Sequence, residues 1–208
     1  MEKVNIYIAR HGQTDCNRDR ILQGRGINAP LNDVGIKQAQ ELASFLSEKK
    51  FSALYTSSMK RAIQTSEIIA EACNLPITNR KELDEMDYGI YEGKQYSDVA
   101  DDLEIIKNSW DQGNTELQIE AGESPEDVLN RAKPIFLNII QSHPGESILM
   151  VLHGRLIRIL LSHFLRSDLK QMEAYQISNC ELNHLVYKGD CFKVQFLNKC
   201  EYLNTALK

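Results

Sequence analysis

The chain has 208 residues, 42% of them hydrophobic and 25% charged, with a net charge of −5. That length suits one sizeable core or two small ones, and the composition is that of an ordinary globular protein. The negative balance argues against general nucleic-acid binding, which needs a basic face. Five cysteines (Cys16, Cys73, Cys180, Cys191 and Cys200) form no C-x-x-C pair. They read as reduced thiols of a cytoplasmic protein, not as a disulfide frame or zinc site. Nor does any apolar run approach the roughly 18 residues of a membrane span.

Residues 4–9, Val4-Asn5-Ile6-Tyr7-Ile8-Ala9, have the content of a buried strand; the run is too short for a secretion signal. The strand breaks off in Arg10-His11-Gly12. A cation, an imidazole and an unhindered backbone N–H thus arrive together at the carboxyl end of a sheet, where open α/β sheets bind ligands. Gly12 suits close approach to a ligand or a positive φ. A polar loop over residues 13–30 follows. Asn32 is a good N-cap for a helix whose apolar positions are Ile36, Ala39, Leu42, Ala43 and Leu46. Residues 52–56 form a second strand ending in Ser57-Ser58, and a helix with Ala62, Ile63, Ile68, Ile69 and Ala72 on its apolar face follows.

The composition then shifts. Residues 82–127 hold fifteen acids against Lys94 and Lys107, a local balance of −13, with weak periodicity. This reads as a small acidic cap inserted off the main sheet, over residues 82–123. Ser124-Pro125-Glu126-Asp127 restarts a helix with N-cap, Pro and N3 acid, and Pro134 inside it is expected to kink it or delay its start. Residues 147–152 are a very apolar strand ending in His153-Gly154. A strongly apolar helix carrying Arg155 and Arg158 comes next, then two strand-like runs, 182–187 and 191–197, joined by Lys188-Gly189-Asp190 as a hairpin. The tail from Asn198 looks loosely held. The expected fold is α/β: a three-layer α/β/α sandwich on a mostly parallel sheet, with the acidic cap and a C-terminal hairpin.

If the three strands are parallel neighbours, Arg10-His11-Gly12, Ser57-Ser58 with Arg61, and His153-Gly154 converge on one edge. Two guanidiniums and helix N-termini make an anion pocket. The same cations repel a divalent metal, so the pocket is expected to hold a phosphoryl group. A neutral imidazole can attack phosphorus in line, if its other nitrogen donates to something that fixes the tautomer. The leaving alkoxide needs a proton, and an acid of residues 82–127 must supply it. On chemistry alone Asp84, Glu85 and Asp87 are rivals.

In order and spacing, these motifs resemble the histidine phosphatase superfamily, also called the phosphoglycerate mutase-like family. The resemblance rests on Arg10-His11-Gly12-Gln13-Thr14 with Asn17; Gln23-Gly24-Arg25; Tyr55-Thr56-Ser57-Ser58 with Arg61; Leu83-Asp84-Glu85; Gly122-Glu123-Ser124; His153-Gly154; and Ile177-Ser178-Asn179. It runs over residues 5–187 and implies one histidine phosphatase domain over residues 1–208. It also implies that His11 is the phosphorylated nucleophile, that Arg10, Arg61 and His153 complete the phosphate clamp, and that Glu85 is the proton donor. Asn17, Gln23 and the Gly154 N–H would add hydrogen bonds to the phosphoryl group. No metal or organic cofactor is implied.

The family's mutases carry a longer insertion with a Glu-Arg-His-Tyr-Gly segment and paired arginines. Here Glu92-Gly93-Lys94-Gln95-Tyr96-Ser97 runs straight into acids, and the −13 balance disfavours a second phosphate on the substrate. The expected activity is therefore hydrolysis of a small phosphomonoester without metal, with inorganic phosphate as product. A phosphoglycerate mutase-type transfer and a non-catalytic phospholigand-binding module are the alternatives. Neither nucleic acid nor membrane is an expected partner, and a homodimer is a candidate assembly. Arg155 and Arg158 either line the rim and select an acidic substrate or are solvated; Arg155 also replaces the small residue expected after the second His-Gly. Tyr88, Tyr91, Tyr96 and Trp110 pack over the substrate or within the cap. His143, His163 and His184 are read as structural, and Cys16 as an inert thiol near the site.

Overall fold

The computed structural model describes residues 2–207; the first and last residues of the expected domain lie outside the described residues. In chain order the elements are β1 (Val4–Arg10), α1 (Asp15–Arg18), α2 (Asp33–Leu46), β2 (Ala53–Thr56), α3 (Lys60–Cys73), β3 (Ile77–Asn79), α4 (Ala100–Asp111), α5 (Pro125–Gln141), β4 (Ser147–Leu152), α6 (Gly154–Arg166), β5 (Leu182–Lys188) and β6 (Cys191–Lys199). The strands form one six-stranded sheet in the order β3-β2-β4-β1-β5-β6. The first four in that order are parallel, and the β5–β6 hairpin is antiparallel.

Central strands in such a sheet are apolar on both faces, because helices cover both. In β4, Ile148, Met150 and Leu152 join the core with α5 and α6, while Leu149 and Val151 join that with α2 and α3. β1 divides the same way, Val4, Ile6 and Ile8 against Ala9. The expected three-layer sandwich is what forms.

Local signals explain the helix starts. Asn32 Oδ1 accepts the Gly35 N–H at 2.9 Å, and Ser124 with Asp127 makes a reciprocal capping box. Pro134 does not delay α5, which runs unbroken from Pro125. Pro134 and Asn130, four residues before it, are both exposed, so the carbonyl left without its helical donor faces water.

Three features depart from the sequence reading. β3 is an unanticipated edge strand of three residues. Inside the acidic segment α4 buries Leu103 and Trp110, following the buried Val99. The tail is held: Leu203 is buried, Tyr202 stacks on Phe45 with centroids 4.7 Å apart, and Gln38 Nε2 donates to Leu207 O at 2.7 Å. Those apolar groups need a cover over α2, and the tail supplies it.

Candidate active site

Because β2, β4 and β1 are adjacent and parallel, their carboxyl ends bring Ser57, His153 and His11 to one edge. The His11 and His153 rings lie 5.2 Å apart between centroids, and both are buried. His11 Nδ1 donates to its neighbour's carbonyl, Gly12 O, at 2.7 Å. The lone pair therefore sits on Nε2, where the Arg61 Nε–H points from 3.2 Å. Burial, then the charges of Arg61 and Arg10, hold the His11 pKa well below its ordinary value. The imidazole is neutral, oriented and in the tautomer that a nucleophile needs.

His153 is oriented from the other side. Ser57 Oγ accepts the Met59 N–H at 3.2 Å and lies 2.6 Å from His153 Nε2, to which its hydroxyl proton can donate. The His153 proton is then on Nδ1, a buried atom with no hydrogen-bond partner among the described residues. Arg10 Nε is orphaned in the same way, while Arg10 Nη1 donates to Ile177 O at 2.8 Å. Two buried polar atoms without partners in one cluster, one of them a guanidinium donor, suit an anion. Burial pulls down the pKa of both Arg10 and Arg61, and the nearby Glu85 charge works against that shift.

Glu85 sits at the start of α6. Its Oε1 accepts the Met86 and Leu156 N–H groups at 2.9 and 3.1 Å, and its Oε2 the Arg155 N–H at 3.1 Å. The expected free helix N-terminus is therefore occupied by a carboxylate, although the Gly154 N–H lies outside that contact. Asp84 and Asp87 have other work. Asp84 accepts from the Ser58 backbone at 2.7 Å and from its hydroxyl, and Asp87 accepts the Gly89 N–H at 2.9 Å. Of the three rivals, Glu85 alone lines the cavity at this edge, a space of about 370 Å³ that also has Arg10, Asn17, Gln23 and Gly154 on its wall. Asn17 Oδ1 accepts from the Thr14 backbone and from Asn179 Nδ2, each at 3.2 Å, so its amide NH2 is free to donate. Gln23 Oε1 accepts the Thr14 hydroxyl at 2.8 Å.

A sequence model of the histidine phosphatase superfamily (branch 1) matches residues 6–199. The chain belongs to the histidine phosphatase superfamily. Phosphoglycerate mutase-like protein 4 of Arabidopsis thaliana is 31% identical over 207 residues, which is 98% of this chain and 88% of that protein. Bacillus stearothermophilus YhfR superposes with a TM-score of 0.87 at 27% identity, over 97% of this chain and 100% of that one. A mycobacterial glucosyl-3-phosphoglycerate phosphatase superposes with a TM-score of 0.84 over 95% and 100% of the two chains; at 22% identity this likeness concerns the fold. Phosphatase and phosphoryl-transfer chemistry on small phosphorylated compounds is the province of this superfamily.

Gly12 does not present a free N–H to a ligand; it donates to Thr65 Oγ1 at 3.0 Å. Its missing side chain serves packing, since a Cβ there would fall 2.4 Å from Gly35 O. His143, His163 and His184 lie off the cavity: His143 bonds Tyr55 and Glu146, His163 packs on Phe164, and His184 stacks on Tyr7. Cys16 lines an adjoining hollow with Arg10 and Asn17, and burial pushes its thiol pKa up. Tyr88, Tyr96 and Trp110 are on the cavity wall; Tyr91 is not. Among the described residues no helix is long and apolar enough to cross a membrane.

The sequence reading missed two positioning residues. Arg131 of α5 donates to Glu82 O, Asp84 O and Glu85 O at 2.8 to 2.9 Å and to both oxygens of Glu123, so it grips the backbone that carries Glu85. A signal existed: Arg131 interrupts the buried stripe of Val128, Ala132 and Ile135. Glu173, on the 3-10 turn Leu169–Ala174, pairs with both Arg155 and Arg158. No motif marks it.

Proposed function

We propose that the protein hydrolyses the phosphomonoester of a small metabolite through a phosphohistidine on His11. The reading is carried by one observation: a buried neutral imidazole fixed by Gly12 O at Nδ1 and presented at Nε2 beside Arg61. In this account Arg10, Arg61, the His153 Nδ1–H, Asn17, Gln23 and the Gly154 N–H surround the phosphoryl oxygens. Donors pre-set for charge that spreads over equatorial oxygens are typically worth about 10²–10³ each in rate.

His11 Nε2 attacks phosphorus as the P–O bond to the leaving alcohol breaks. Glu85, protonated at that moment, gives its proton to the departing oxygen. The resulting carboxylate then takes a proton from water, whose oxygen attacks phosphorus as the P–N bond breaks. Ester and water become alcohol and inorganic phosphate, and Glu85 ends protonated as it began. No metal enters these steps. The chain acts as one domain in which residues 82–123 close over the leaving group. Its free cysteines fit a reducing compartment, the cytoplasm.

A panel of phosphorylated metabolites, followed by phosphate release, tests the reading. Release that is abolished in His11→Ala supports it. Isomerisation of a phosphorylated hydroxy acid without phosphate release would make the protein a mutase, and binding without turnover would make it a phospholigand module.

A further inference from the structure

Arg61 is held beside His11 by a turn of the chain. Its Nη1 and Nη2 donate to Ile27 O at 3.0 Å and to Gly24 O at 3.2 Å, and its Nε–H is left pointing at His11 Nε2. The side chain is fully buried. Whatever fixes the carbonyls of residues 24–27 therefore fixes this guanidinium.

Backbone pairing fixes the start of that stretch. The Leu22 N–H donates to Lys94 O and Leu22 O accepts the Gly93 N–H, both at 2.9 Å, and Ile21 bridges to Gln95. Beyond Leu22, Arg25 reaches Glu123 at 3.4 Å and Asp87 at 3.8 Å from a side chain that is 37% exposed, which makes a weak tie.

Glu92 makes the close contact. Its carboxylate fills the space that two absent side chains leave: a Cβ on Gly24 would clash with Oε1, and one on Gly26 would fall 2.7 Å from Oε2. Oε1 accepts the Tyr88 N–H at 3.1 Å, which fastens the wedge to the acidic segment. Oε2 is buried with no hydrogen-bond partner among the described residues. A buried carboxylate oxygen without a partner costs stability, and its presence calls for a reason. Contact with a ligand is not that reason, because Glu92 is absent from the cavity wall that Glu85, Gln23 and Arg10 share.

We propose that Glu92 is a positioning residue for phosphoryl transfer: wedged against Gly24 and Gly26, it holds the turn whose carbonyls aim Arg61 at His11 and at the phosphoryl group. This deepens the phosphatase reading and rests on it. A misplacement of about 1 Å at a reacting centre costs about 10² in rate, so a residue off the cavity can carry a large effect.

The test is the kinetics of Glu92 variants on p-nitrophenyl phosphate and propyl phosphate. Glu92→Ala removes the wedge, and Glu92→Asp withdraws it by one methylene. Each should lower kcat by about 30-fold with KM within about threefold, because the interaction lost belongs to the transition state. The two esters should lose equally, since Arg61 serves the phosphoryl group and not the leaving oxygen. Glu92→Gln keeps the shape and the bond from Tyr88, and should stay within about threefold of wild type. In an Arg61→Lys background Glu92→Asp should cost no more than about threefold further, because no guanidinium remains for the turn to aim. Where Glu92→Ala does not fold, Glu92→Asp decides. A kcat unchanged in folded Glu92→Asp overturns the proposal. So does a loss carried by KM, a larger loss on propyl phosphate than on the aryl ester, a Glu92→Gln loss as large as that of Glu92→Asp, or a loss undiminished in the Arg61→Lys background. These outcomes, with wild-type turnover intact, refute this inference alone. No phosphate release from either ester by the wild-type protein refutes the phosphatase reading and this inference with it.

Discussion

Arg131→Met removes the grip on the backbone of residues 82–85. Five hydrogen bonds go: three to the carbonyls of Glu82, Asp84 and Glu85, and two to Glu123. Removing one partner of a fully buried charged pair costs about 3–5 kcal/mol, and Arg131 and Glu123 are only partly buried. Arg25 still faces Glu123 at 3.4 Å and the Asp87 N–H donates to it at 3.0 Å, so the lower end, about 3 kcal/mol, is expected by urea denaturation. The catalytic effect is separable. If Arg131 positions the proton donor, turnover of an alkyl phosphate should fall by about 10², within the range of general acid catalysis. p-Nitrophenyl phosphate leaves without needing a proton and should lose no more than about threefold. Arg131→Lys should not restore the alkyl rate, because an ammonium cannot span three carbonyls as a planar fork does. Equal losses on both substrates, or an unchanged alkyl rate in a folded but less stable protein, would show that Arg131 does not position the proton donor.

Other consequences follow from the same geometry. Gly12→Ala sets a Cβ against the Gly35 carbonyl at 2.4 Å, and both sides are backbone; a loss of about 1–3 kcal/mol in urea denaturation is expected, and an unchanged midpoint would show that the loop yields freely. Ser57→Ala frees the His153 tautomer, and kcat/KM should fall by about 10² with weaker inhibition by phosphate. In the folded protein burial and then Arg61 hold the pKa of His11 and His153 well below 6.5, to which both return on unfolding. Below about pH 6.5 the unfolded chain thus binds more protons, and stability falls with pH by up to about 1.4 kcal/mol per unit for each histidine, until the folded pKa values are reached. Denaturation midpoints between pH 5 and 8 check this; a flat profile from 7 to 5.5 would contradict it.

What could be read from the chain depended on how local the physics was. The polar strand ends and the Asn32 and Ser124 caps are short-range patterns, and each lies where expected. β3 has three residues and pairs with β2 alone, so it carries too little pattern to stand out. α4 did carry one: Val99, Leu103, Ile106 and Trp110 keep helical spacing, but the surrounding acids masked it. From sequence Gly12 reads as facing a ligand, whereas its neighbour is the Gly35 backbone, more than twenty residues away. The α6 N-terminus reads from sequence as an anion site for substrate, whereas Glu85, whose backbone carbonyl Arg131 holds, occupies it. Glu173 lies outside every motif, and only tertiary structure sets it between Arg155 and Arg158.

The proposed hydrolysis depends on a covalent phosphoryl group on His11. The direct measurement is rapid mixing with a labelled phosphomonoester, an alkaline denaturing quench that preserves a P–N bond, and mass analysis of the digested peptides. An acid-labile phosphate on His11 is expected, formed and lost at rates that match turnover and absent from His11→Ala. Full turnover by His11→Ala, or label on any other residue, would contradict it.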